Sequence, residues 1–150
     1  MKSQIINKSI TVLLSLSIQA TLLLISSCGG KSDPGPSAQD LVKAKLLANS
    51  WVLQSVMVDG IDQTVVYKGL TLKFTATNYN TTNGGVIWPA SGTWLFNSID
   101  GKTIKRDDGT IISVEATDSS LKLAFTWSVT TLSGGKVNSL KGMHIFTFVK

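Results

Sequence analysis

From residue 50 onward the chain alternates apolar and polar residues in short runs broken by turn residues, the pattern of an antiparallel sandwich or barrel. The first run is 51–58, ended by Asp59-Gly60. The next is 70–77, which predicts Leu70, Leu72, Phe74 and Ala76 inward and Thr71, Lys73, Thr75 and Thr77 outward. The polar stretch 78–85 holds a short strand or a hairpin about Asn83-Gly84. Val86-Ile87-Trp88 runs into Pro89, which confines that piece to an edge or a loop. A strand over 93–98 turns at Asp100-Gly101, and runs at 102–106 and 110–116 flank the hairpin signal Asp107-Asp108-Gly109. The longest alternation is 121–130, with Leu121, Leu123, Phe125, Trp127 and Val129 on one face. Ser133-Gly134-Gly135 turns the chain, and 142–150 closes it. That last run is apolar on both faces, Ile145 and Val149 against Phe146 and Phe148, which predicts cover on both sides.

The expected fold class is therefore all-β: a small up-and-down antiparallel barrel of about eight strands. An immunoglobulin-like sandwich is the alternative; a helix ahead of the first strand and the hairpin-rich order favour the barrel. Eight strands enclose an interior that is either filled by side chains or wide enough for one small ligand. The inward set is bulky (Leu72, Phe74, Trp94, Phe96, Leu123, Phe125, Trp127) and favours a filled or narrow apolar lumen.

Residues 37–47 read as one short helix. Ser37 caps it, and Asp40, three residues on, completes a capping-box-like pair. Ala38, Leu41, Val42 and Leu46 share a face; Lys45 intrudes, its stem lying flat while its amine reaches water. So short a helix is not stable alone, and closing one end of the barrel is its natural role. Before it, residues 29–37 are Gly, Ser, Pro and single charges, a linker in which Pro34 and Pro36 block regular structure. Residues 10–24 form an apolar run behind Lys2 and Lys8, diluted by Ser15, Ser17, Gln19 and Thr21. A permanent membrane helix takes about 20 residues, so a cleaved leader is the better reading. The organisation predicted is a leader at 1–27, a tether at 28–37 and a barrel domain at 38–150.

The net charge of +5 includes Lys2 and Lys8, which leave with the leader, and the other lysines are scattered without a basic run, so nucleic acid is not a predicted partner. The single cysteine, Cys28, forbids an intramolecular disulfide and a Cys-based zinc site. His144, the only histidine, alternates with Phe146 and Phe148 and reads as a packed strand residue. Asp59, Asp100, Asp107 and Asp108 stand in or beside Asp-Gly turns, where they serve backbone geometry. Glu115, the sole glutamate, looks outward, and there is no Gly-x-Ser-x-Gly elbow. No metal, cofactor or enzymatic activity is expected. Trp51, Trp94 and Trp127 sit inside strands as core residues. Trp88, before Pro89 and after Gly84-Gly85, is the best candidate among the tryptophans for an exposed ring at the barrel mouth, stacking on a sugar or touching lipid, with simple edge packing as the alternative. The candidate ligand-binding residues are Trp88, Trp94, Phe96, Phe125 and Trp127.

Two resemblances join these features. Leu24-Ile25-Ser26-Ser27-Cys28 resembles the lipobox of bacterial lipoproteins. That resemblance implies lipidation of Cys28, cleavage just before it and acylation of the new amine; several acyl chains together give stable residence in a membrane. Gly29 after the cysteine implies sorting to the outer membrane, as in lipoproteins of the enteric type. Asn49-Ser50-Trp51 resembles the Gly-x-Trp start of the lipocalin barrel, with Asn, which tolerates positive φ, at the glycine position; Gly92-Thr93-Trp94 repeats the motif in mid-chain. With the lipobox, the Pro/Gly tether, Leu47 to Trp51, Asp59-Gly60 and the Leu72-Lys73-Phe74 strand, the ensemble resembles the lipocalin-like lipoproteins of Bacteroidota. It implies an outer-membrane protein anchored through Cys28 that binds a small apolar ligand in or at the mouth of the barrel. A packed scaffold presenting loops to a protein or glycan partner is the alternative. In lipocalins a late arginine stacks on the first-strand tryptophan; here the only arginine is Arg106, in mid-chain.

Overall fold

The computed structural model describes residues 34–128, 131–133, 136–138 and 141–150. The leader at 1–27, Cys28, the tether up to residue 33, Val129 and the Gly134-Gly135 turn lie outside the described residues.

Helix α1 spans Ala38–Ala48, and its start is the predicted capping box. The Asp40 amide donates to the Ser37 hydroxyl at 3.1 Å, and the Ser37 amide donates to the Asp40 carboxylate at 3.1 Å. Among the described residues eleven strands follow: β1 (Ser50–Val58), β2 (Ile61–Asp62), β3 (Thr71–Phe74), β4 (Asn78–Thr82), β5 (Ser91–Phe96), β6 (Thr103–Arg106), β7 (Ile111–Ala116), β8 (Ser120–Trp127), β9 (Thr131–Ser133), β10 (Lys136–Asn138) and β11 (Gly142–Val149). Eight of them, β1, β3 to β8 and β11, form one antiparallel sheet that β11 closes by pairing with β1. β2 folds back on β1 through Asp59-Gly60, whose φ values of 48° and 82° make the two-residue hairpin turn the sequence announces. β9 and β10 pair with each other in a separate two-stranded sheet.

The barrel has two different ends. At the helix end are the turns after β3, β5 and β7, and α1 lies across them. Trp51 Nε1 donates to the Leu46 carbonyl at 3.1 Å, Gln39 Nε2 to that of Ser98 at 2.8 Å, and Lys45 Nζ to that of Ala116 at 3.4 Å. Lys45 therefore ends on a backbone acceptor. Leu46 is fully buried, whereas Leu41 is 52% exposed, so the docking face is centred on Leu46 and Val42 and excludes Leu41. Asn49 is extended (φ −134°), and no glycine is required at that position. At the other end are the longer connections 59–70 and 83–90, the tight turn 107–110, the last residue of β8 and the first of β11.

Three expectations change. β3 stops at Phe74 because Thr75 and Asn78 close a turn, the Thr75 amide donating to the Asn78 carbonyl at 2.8 Å; Ala76 lies in that turn and is exposed. Asn83-Gly84 does not make a tight hairpin but opens the long connection 83–90. The outer face of β11 is only half-buried at Ile145 and Val149, because just its neighbours β1 and β8 shade it, while His144, Phe146 and Phe148 are buried inside.

Gly92 of the mid-chain Gly-Thr-Trp has a steric reason. It pairs with Tyr79, and a Cβ at Gly92 would stand 2.6 Å from Tyr79 ring carbons. The phenol lies across a glycine that leaves it room, and Trp94, two residues on, faces the same interior. Gly92→Ala should destabilise the domain by about 1–3 kcal/mol, the usual cost of overpacking a filled interior. Urea denaturation followed by tryptophan fluorescence measures it, and the same change at Gly35, which has open space around it, should be near neutral.

Candidate functional site

The connection 83–90 turns back into the barrel. Asn83 and Gly85 take left-handed conformations (φ 55° and 61°), and Gly84 packs so closely under Trp88 that a side chain there would collide with it. The Trp88 amide donates to the Gly84 carbonyl at 3.1 Å, and the Thr81 hydroxyl reaches the carbonyls of Trp88 and Pro89 at 3.1 and 2.9 Å. Ile87 and Trp88 are thereby sunk in the core, Trp88 to 1% exposure. This overturns the exposed-ring reading; the ring is packed, in the core and not at an edge. Trp88 is loop-borne, yet it meets Tyr79, Phe125 and Phe146 edge to face at 5.7, 5.7 and 6.0 Å.

Beside it lies the one arginine. Along β6 the two-residue period that turns Ile104 inward turns Arg106 inward as well, and Arg106 is 2% exposed. Its guanidinium lies 4.9 Å from the Trp88 ring and 5.7, 5.8 and 6.0 Å from those of Phe125, Trp127 and Tyr79. Nη1 donates to the Ile87 carbonyl at 2.7 Å, Nε to Asp108 Oδ1 at 3.3 Å, and Nη2 to Asp108 Oδ2. A buried cation of this kind persists only when paired and hydrogen-bonded, and the two-pronged carboxylate supplies both. The expectation of a purely apolar lumen is corrected: this half of the interior holds a charge, and the arginine that stacks on a tryptophan comes from β6 and meets Trp88.

His144 is fully buried and lies nearly parallel to the rings of Phe125 and Phe146, with centroids 5.8 and 5.9 Å away. Its Nδ1 is 3.1 Å from the Gly142 carbonyl, a bond that needs the proton on Nδ1. The Tyr67 and Tyr79 hydroxyls, the indole N–H groups of Trp88 and Trp127, and His144 Nε2 are buried with no protein partner among the described residues. Burial pushes both phenols above their ordinary pKa.

The five predicted site residues fall into two groups. Trp94 and Phe96 lie toward the helix end, ring to ring at 5.3 Å, with Trp94 also on Phe74 and its Nε1 donating to the carbonyls of Thr75 and Asn78 at 3.1 and 3.2 Å. Trp88, Phe125 and Trp127 gather around Arg106 in the other half. Of the five, Trp127 also borders an open concavity. The β7–β8 ladder ends at Ser113↔Ala124, while β7 continues to Ile111 against β6 and β8 to Trp127 against β11. The wall parts there into a cleft of about 550 Å³ bordered by Asp108, Thr110, Ile111, Thr126, Trp127 and Ser128. Arg106 and Asp108 were missed as site residues because Asp108 reads as a turn residue; the inward phase of Ile104 was the signal for Arg106.

Burial acts to raise the Asp108 carboxyl, but hydrogen bonds from Arg106 and Thr110 outweigh it and hold the group below the ordinary carboxylate range. Stability from this pair is thus complete above the unfolded value of about 3.9 and is lost as pH falls through the folded one. Acid unfolding of Asp108→Asn should show a shallower loss of stability below about pH 4 than the parent chain. At neutral pH Asp108→Ala should cost about 3 kcal/mol, the low end for breaking a buried pair, because the carboxylate keeps partial contact with water. Urea titrations at both pH values measure the two effects.

Comparison with family models, with curated proteins and with solved structures found no match. The architecture itself is a closed eight-stranded antiparallel barrel behind one helix.

Proposed function

We propose that this chain is a lipocalin-like lipoprotein of the outer membrane, held by a lipid on Cys28, and that it binds its partner at the loop end of a packed barrel. It works as a binding module and not as a catalyst. The observation that carries this reading is Trp88 seated on Arg106 inside the barrel. Removing a buried tryptophan from a core costs about 3–5 kcal/mol, a large share of the roughly 5–15 kcal/mol that holds a domain folded. A guest in the lumen would have to repay that loss. Polarity along the chain agrees: the tether runs into α1 at the helix end, so the loop end is the one opposite the tether's point of entry. The lipobox and the Gly/Pro tether support the anchor.

The second reading is a small apolar ligand in the barrel or at its mouth, for which the aromatic rings around Trp88 speak if the 83–90 connection withdraws. One preparation separates the two. Protein purified from the membrane fraction should have an intact mass that begins at acylated Cys28, and Cys28→Ser should move it to the soluble fraction. Organic extraction of the same protein should release no apolar compound in stoichiometric amount. A mature chain beginning at Met1, or an unmodified Cys28, overturns the anchor; a stoichiometric lipid in the extract overturns the packed barrel.

A further inference from the structure

We infer that the cleft where β7 and β8 part is a binding site for a neutral, hydroxyl-bearing ligand of sugar size; this rests on the reading above that the barrel binds at its loop end. The volume of about 550 Å³ lies within the range of roughly 300–1,000 Å³ typical of small-molecule sites. The chemistry of the border selects the class. Thr110, Thr126 and Ser128 contribute hydroxyls, Asp108 a carboxylate, and Ile111 and Trp127 apolar surface.

Charge excludes the alternatives. The Asp108 carboxylate, 35% exposed, is the ionised group at the border and Arg106 is buried behind it, so an anion entering the cleft finds no cation that it can reach. A cation gains little, because Arg106, fully buried behind Asp108, already answers that charge through two hydrogen bonds. Neither partner of the pair is free to reorient, since Arg106 is also held by the Ile87 carbonyl and Asp108 by the Thr110 amide, which donates to it at 3.0 Å. A wall of zero net charge that still offers a carboxylate acceptor and several hydroxyls suits a group that donates and accepts at once, which is what an alcohol does.

A second observation points the same way. Trp127 is 9% exposed, and its buried Nε1–H has no acceptor among the described residues, although buried donors are nearly always satisfied. A turn of the indole toward the cleft on binding would uncover this N–H and let a ligand hydroxyl accept from it and donate to Asp108. The two groups are brought together by the guanidinium, which hydrogen-bonds Asp108 and lies 5.8 Å from the Trp127 ring. Ile111, 53% exposed, offers an aliphatic surface to the C–H face of a ring.

The test is ligand-observed NMR and tryptophan fluorescence on the full mature chain, with maltose, cellobiose and chitobiose as neutral probes, glucuronic acid as an anion and choline as a cation. Saturable binding of at least one neutral disaccharide, tighter than either charged probe, is the expected result. Thr126→Val removes one exposed hydroxyl with little change of shape, and Trp127→Phe removes the N–H but keeps a ring. Each should weaken that binding about tenfold, the worth of one hydrogen bond to a buried or charged partner. Thr126→Val should do so with an unchanged thermal midpoint. Absence of binding by all three disaccharides, tighter binding of a charged probe, or undiminished binding by Thr126→Val overturns the assignment. If the organic extract is empty and no disaccharide binds, the sugar site fails while the packed barrel stands; a stoichiometric lipid in the extract removes the barrel reading itself.

Discussion

A guanidinium placed among indole and phenyl rings is costly unless every direction around it is answered, and the loop half of this barrel is built around answering one. Asp108 takes two of the Arg106 donors, the Ile87 carbonyl takes a third, and four aromatic rings stand within 6.0 Å of its carbon. Each answer pins a separate piece of chain. Asp108 sets the β6–β7 turn, Ile87 draws in the 83–90 connection, and Trp127 and Phe125 bring in β8. Because the pairing and the packing stand or fall together, the interior tolerates neither a missing carboxylate nor a missing ring.

Filling the barrel in this way bears on the proposed binding role. The helix end is closed by α1, whose last turn is tied to the first-strand tryptophan through Leu46. The middle holds the rings of Phe74, Trp94, Phe125, Phe146 and Phe148, all buried. On the proposed binding role, what is left for recognition is the loop-bearing rim, where the strands part and polar side chains reach solvent. The stacked column His144, Phe146 and Phe148, neighbours at 5.9 and 6.2 Å, gives that rim a rigid wall to stand on.

Much of the fold was legible residue by residue. The capping box at Ser37 and Asp40, the Asp59-Gly60 turn, the β6–β7 hairpin and the inward faces of β3 at Leu72 and Phe74 and of β8 from Leu121 to Trp127 all follow from local rules of spacing and turn chemistry. Far less of the interior's chemistry was legible. Trp88 reads as a loop residue, and it is one; that the loop folds inward depends on Gly84 and Thr81 meeting Trp88 across the connection. Leu41 and Ala76 fit the apolar pattern and still lie outside, because the pattern gives a face and not how far the neighbouring element extends.

The amino-acid order alone determined the alternation, the turns and the helix start, since each of these depends on groups a few positions apart; closure of the sheet joins residues as distant as Val52 and Val149. Tertiary structure alone decided what the barrel contains. Whether a charged side chain at an inward position is excluded or accepted depends on an acceptor and on rings supplied by β4, β7's approach, β8 and a loop, and their meeting is a matter of closure in space and not of spacing along the chain.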